Sequence, residues 1–186
     1  MTLAVIGLAT AGCTGSDDAE PDASPTSPSA ASSSAAPAVT TRVSWGKGAG
    51  ALPRTLRPRL VEDVQAVVDG WFDAAYLSGD YPRSSFVGSW KGFTPGAQAQ
   101  ARRDGDLMSN RDIGADITGV TPVSRAVTLD VLSVRKRPVG VTARVDLRFA
   151  TTGTTAQRVH VAGQLYLTNG KQGWQVFGYD VRKAAQ

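Results

Sequence analysis

The side chains able to act as nucleophile, base or ligand are few in this sequence, and the most distinctive occur once each. Cys13 is the one thiol and His160 the one histidine. A single thiol cannot close an intrachain disulfide, so Cys13 is either a free thiol or a site of modification. A single imidazole titrates near neutral pH and is competent as a general base, but a base needs a partner to orient it. His160 alternates with Val159 and Val161. This places it on the polar side of a strand with Arg158, Gln164 and Tyr166, where it reads as a sheet-surface residue. Asp73, Asp146, Asp180, Tyr76 and Tyr179 supply carboxyl and phenol groups, none of them within a catalytic motif. Zinc-type His/Cys spacing, an Asp/Asn-rich calcium loop and a Gly-x-Ser-x-Gly elbow are all missing from the sequence. The glycine run Gly46-Lys47-Gly48-Ala49-Gly50 lacks the Gly-Lys-Ser/Thr ending of a phosphate loop. The expectation is a protein without metal or cofactor that does not act as an enzyme.

The position of Cys13 gives its thiol a specific chemistry. Leu3, Ala4, Val5, Ile6, Gly7, Leu8 and Ala9 form a short apolar stretch, and the small residues Thr10, Ala11 and Gly12 lead directly into the cysteine. An apolar core followed by small residues is what a signal peptidase reads. The arrangement resembles a bacterial lipobox, with Ala11-Gly12-Cys13 at its most constrained positions. The resemblance implies a signal peptide over residues 1–12, diacylglycerol on the Cys13 thiol, cleavage before it, and acylation of the new amino terminus. Two or three acyl chains anchor stably where one is marginal. Two departures stand out. Thr10 occupies a position where Leu or Val is commoner, and Met1-Thr2 carries no positive charge, which points to a translation start further upstream.

The segment after the cysteine has the composition of a tether. Of the 27 residues from 14 to 40, Ser, Thr, Ala and Pro make up 21, four are acidic, and Val39 is the one large aliphatic. Such a segment buries too little apolar surface to offset its ordering entropy. It is expected to be a disordered spacer, with residues 41–56 as a flexible lead-in to the folded domain.

The net charge of +4 is unevenly shared: all 20 Lys and Arg lie beyond residue 40 with 12 of the 16 acids, a surplus of eight there. A basic domain favours anionic partners. The densest cluster, Arg135-Lys136-Arg137-Pro138, falls at a turn, where it reads as a solvated tip or a contact for anionic headgroups. Nucleic acid is not an expected partner, because export removes it and no aromatic–basic stacking pattern occurs.

Positioning falls to the elements after residue 57. Pro58 suits the first helical position. Leu60, Val64, Val67, Val68, Trp71, Phe72 and Ala75 then recur at spacings of three and four, one apolar stripe that ends at Gly79-Asp80. Residues 83–112 read as short helices and turns, with Phe86, Trp90 and Phe93 as satellite core and Thr94-Pro95 capping a polar helix from Gly96 to Met108. From about 117 the period changes to two. Val127 to Val131, Val139 to Phe149 and Val159 to Leu167 alternate, Asn169-Gly170 signals a hairpin, and Trp174 to Val181 forms the last strand. Helices followed by four consecutive strands indicate an α+β fold, a long N-terminal helix and short helices on a curved four-stranded antiparallel sheet.

This order, with the ending Trp174-Gln175-Val176-Phe177-Gly178-Tyr179, resembles the NTF2-like superfamily over residues 57–186, and in particular the NTF2-like domains of actinobacterial secreted or membrane-linked proteins. The resemblance implies a cone with an apolar cavity between helix and sheet. Trp71, Phe72, Tyr76, Trp174, Phe177 and Tyr179 are the candidate cavity residues. Fold alone assigns no activity. The expected function is a lipid-tethered module on the outer face of a bacterial cell membrane that binds an envelope protein, a wall component or a small apolar ligand. The alternative is a cavity enzyme of isomerase or hydratase type using an Asp/Tyr pair.

Overall fold

The computed structural model describes residues 39–47 and 52–186. The chain divides into units Met1–Ala36 and Pro37–Gln186, and every described residue belongs to the second. The fold is α+β. Its elements are β1 (Arg42–Trp45), α1 (Arg57–Phe72) continued by a π-helical turn (Asp73–Leu77), α2 (Pro95–Arg103), α3 (Gly105–Met108), β2 (Ile117–Val134), β3 (Arg137–Gly153), β4 (Arg158–Gly170) and β5 (Gly173–Ala185). The strands form one sheet in the order β1-β2-β3-β4-β5.

Two features depart from the sequence-based expectation. The sheet has five strands, not four, because Arg42–Trp45, in the stretch read as a lead-in, pairs in parallel with Ala126–Leu129. Such a short strand carries little local signal, and its partner lies more than 80 residues away. The β4–β5 turn is also shifted. Gly170 pairs with Gly173, so Lys171 and Gln172 form the loop, and the Asn169-Gly170 pair that signals the hairpin ends the strand instead.

The α1 stripe behaves as its spacing requires. Leu60, Val64, Val68, Trp71, Phe72 and Ala75 are all buried. They face the inner side of the sheet, where Val127, Leu129, Val141, Ala143, Val145, Leu147, Phe149, Val161, Leu165 and Leu167 complete the same core. A buried side chain of this size contributes about 2–3 kcal/mol by leaving water. Polar bonds tie the helix to the end of α3: the Trp71 indole N–H donates to the Met108 carbonyl at 3.1 Å, and the Tyr76 hydroxyl to the Leu107 carbonyl at 2.7 Å. α2 begins as its sequence implies, with the Thr94 hydroxyl accepting from the Ala97 N–H at 3.4 Å and Pro95 in the first turn. The expected longer helix to Met108 is broken at Asp104.

Arg125 fixes α1 against β2. Leu147, its partner in register, and Val127, two residues along β2, are core residues, so the guanidinium points inward and only 11% of the side chain is exposed. It reaches Asp69 and Asp73 at 2.8 Å each and lies 5.7 Å from the Phe72 ring centre. Asp69 also accepts from the Thr41 hydroxyl at 2.5 Å, which joins the segment entering β1 to the same cluster.

Trp71 is central to this packing, so Trp71→Ala should lower unfolding free energy by about 3–5 kcal/mol, and Arg125→Met by about 2 kcal/mol. Urea denaturation measures both. A midpoint unchanged in either variant contradicts the assigned packing.

Candidate functional site

The six residues expected to line a cavity divide into three groups. Trp71, Phe72 and Tyr76 are fully buried and pack on one another, with ring centres 5.3 Å apart for Trp71–Phe72 and 5.5 Å for Trp71–Tyr76. Phe93 and Phe149 extend this cluster at 6.3 Å and 5.9 Å. These rings fill space instead of surrounding it. Trp174 is buried at the start of β5 and borders a groove with Val67, Gly70 and Lys91. Tyr179 is half-buried, and Phe177 is 56% exposed on the outer face.

A β-bulge separates these fates. Tyr166 pairs with Gly178 and Leu167 with Val176, which leaves Phe177 as an extra residue between them. The bulge reverses the parity of β5, so Trp174 and Val176 precede it facing inward, Tyr179 and Val181 come after it facing inward, and Phe177 turns outward. There it meets Tyr166, whose ring centre is 6.3 Å away.

Phe177 and Tyr166 form one wall of a groove of about 400 Å³ on the outer face. Gly140 and Thr142 form the floor, Leu132 the other wall, and Lys47 and Asp130 one end. Leu132 is 64% exposed. The absence of a side chain at Gly140 deepens the floor, since a Cβ there would have nothing closer than 3.7 Å. Asp130 is already committed: it accepts from the Lys47 backbone N–H at 2.5 Å and from Arg144 at 3.3 Å. This close approach requires Gly46, where a Cβ would lie 2.1 Å from the Asp130 oxygen. The groove therefore offers apolar walls and one exposed ammonium at its rim. It suits an apolar or aromatic group bearing a negative charge.

The structure also forms two side-chain pairs of catalytic type that the sequence does not assign. His160 Nε2 lies 2.8 Å from Asp146, across the β3–β4 pairing on the outer face. Its neighbours there are Arg148 and Gln186, and among the described residues no hydroxyl or thiol nucleophile contacts it. The Tyr179 hydroxyl donates to Asp104 at 2.6 Å beside α2. Asp104 is not among the carboxylates that the sequence singles out, since no local pattern marks it. Burial, then this hydrogen bond and the carboxylate charge, push the Tyr179 phenol well above its ordinary range. The bonds from Tyr179 and Gln100 hold the Asp104 carboxyl below its usual value. A phenol that keeps its proton and a carboxylate that resists one make a structural tie and a poor proton relay. Asp73 belongs to the Arg125 cluster. Asp180 is exposed, and Tyr76 is a core residue whose phenol burial drives strongly upward. Lys183 is similarly structural: burial lowers its pKa, and its ammonium donates to the Asp106 and Ser109 carbonyls at 2.9 Å and to Asp112.

Among the described residues no group of His, Cys, Asp and Glu could hold a metal ion, and no helix is long and apolar enough to cross a membrane. Cys13, the expected lipidation site, lies outside the described residues. The chain matches no family model, no curated protein and no solved structure.

The Tyr179 tie has a pH signature. Its folded pKa is raised, so the stability it contributes is complete below pH about 10, the unfolded value, and is lost as pH rises through the folded value. Thermal melts across pH 9–11 should show a smaller alkaline loss for Tyr179→Phe than for the parent chain. An identical loss in both removes the tie.

Proposed function

We propose that the chain is a lipid-anchored, extracytoplasmic binding module of a bacterial cell envelope, built on an NTF2-like domain. The observation that carries the binding half is the outer-face groove. Phe177 and Leu132 expose apolar surface there, and apolar patches on a protein surface mark contact sites. The anchored half rests on Ala11-Gly12-Cys13 and the Ser/Ala/Pro-rich segment after it. The family assignment rests on element order, a long helix and short helices before an antiparallel meander; the parallel strand β1 is an addition to that order. The ligand class that fits the groove is a small apolar group with an acidic end, or an apolar side chain of an envelope protein.

The second reading, an isomerase- or hydratase-type enzyme, has one specific contact in its favour, Tyr179 with Asp104. It is the weaker reading because neither group of the pair exchanges a proton readily near neutral pH.

Two measurements test the two halves separately. Expressed from its full gene in a lipoprotein-processing bacterium, the parent should enter the detergent phase with a lipid mass increment, and Cys13→Ala should remain aqueous; an unmodified parent rejects the anchor. For the groove, anilinonaphthalene sulfonate (an apolar anion) should fluoresce on binding. Phe177→Ser and Gly140→Val should each weaken that binding about tenfold, by loss of a wall and filling of the floor. Equal binding by both variants rejects the groove.

A further inference from the structure

The sheet ends unequally. β2 and β3 meet at Arg135-Lys136, and β4 and β5 at Lys171-Gln172. The antiparallel order puts both turns at one end. β1 runs parallel to β2, which brings Lys47 toward that end too, with its carbonyl accepting from the Val131 N–H. Arg135, Lys136 and Arg137 are exposed, and none forms an ion pair among the described residues. The acid closest along β2, Asp130, is occupied by Arg144. Apolar side chains flank the cations: Leu132, Val134 (53% exposed) and Val139 all stand open to solvent beside the turn.

The turn itself is built against local preference. Arg135 and Lys136 have φ of 50° and 62°, the left-handed pair that a two-residue hairpin needs and that Asn-Gly adopts with least strain. Two long cations held there stabilise nothing visible in the fold. A patch combining unpaired cations with exposed aliphatic side chains matches the boundary of an anionic bilayer, where headgroup phosphates meet acyl chains.

We infer that this end of the sheet docks on an anionic phospholipid surface, with Arg135, Lys136 and Arg137 on headgroup phosphates and Leu132, Val134 and Val139 against the acyl boundary. The inference extends the membrane-tethered reading by assigning the domain an orientation, but its contacts do not use Cys13.

The test uses the full chain carrying Cys13→Ala, so that no acyl anchor contributes, and co-sedimentation with phosphatidylcholine vesicles containing or lacking phosphatidylglycerol. Binding is expected with phosphatidylglycerol only, weakening with salt. Arg135→Asn with Lys136→Gly keeps the turn, should raise the melting temperature, and should weaken binding about fivefold per cation removed. Leu132→Ser with Val134→Ser should weaken it as well. No binding to anionic vesicles, or binding unchanged by the turn variant, overturns the inference. Equally tight binding to soluble polyglutamate that ignores the Leu132/Val134 change would assign the tip to a polyanion, and would overturn it too. A chain that fails to acquire lipid in cells but still binds these vesicles would reject the anchor and leave the docking surface standing.

Discussion

Among the described residues the sheet buries one face only, and most of the architecture derives from that constraint. Side chains alternate along a strand, so a one-residue slip would exchange the core row Val141, Ala143, Val145, Leu147 and Phe149 for the polar row Thr142, Arg144, Asp146 and Arg148. The α1 stripe supplies the matching apolar surface, and its aromatic end, Trp71, Phe72 and Tyr76, is fully buried in that core. These rings fill the space between helix and sheet, and the groove around Leu132, Tyr166 and Phe177 lies on the face that the helix does not cover.

Inward-facing polar groups are the exception that locates the helices. Arg125 lies among core residues of β2 and pairs with two carboxylates on α1 and its π-helical continuation. Lys183 occupies an inward position on β5 and draws the segment from Asp106 to Asp112 against it. Unpaired, either charge would be costly to bury; paired, each accepts only one placement of its helical partner. Asn110 acts similarly, donating to the Tyr76 carbonyl and to the Tyr81 hydroxyl from a fully buried position.

The outer face carries two separate features. Its one histidine–carboxylate pair, His160 with Asp146, lies among Arg148 and Ala162 on an open sheet surface. The apolar groove lies further toward the turns, around Leu132, Tyr166 and Phe177. General-base chemistry requires a shielded site holding both base and substrate. Here the pair and the groove are apart on the same face.

Periodicity alone makes the helix stripe, the four long strands and the α+β class legible, because helix and strand place their apolar residues at different intervals whatever they pack against. The same reasoning locates Trp71, Phe72 and Tyr76 as apolar residues on one helix face, and capping chemistry locates Thr94-Pro95 as a helix start. The composition of residues 14–40 and the setting of Cys13 are likewise properties of sequence. Other features were decided only by the tertiary structure. Strand β1 exists because Arg42–Trp45 finds an edge of β2 far along the chain, and a four-residue pattern does not encode its partner. Phe177 faces outward because one extra residue is accommodated between Tyr166 and Leu167 of the neighbouring strand, so that its direction depends on register, which alternation within β5 does not specify. The pairs Tyr179–Asp104 and His160–Asp146 form between elements that sequence separates. Local patterns determine which face of an element is apolar; which residues meet across elements depends on long-range register and packing, and the candidate sites of this protein are of that second kind.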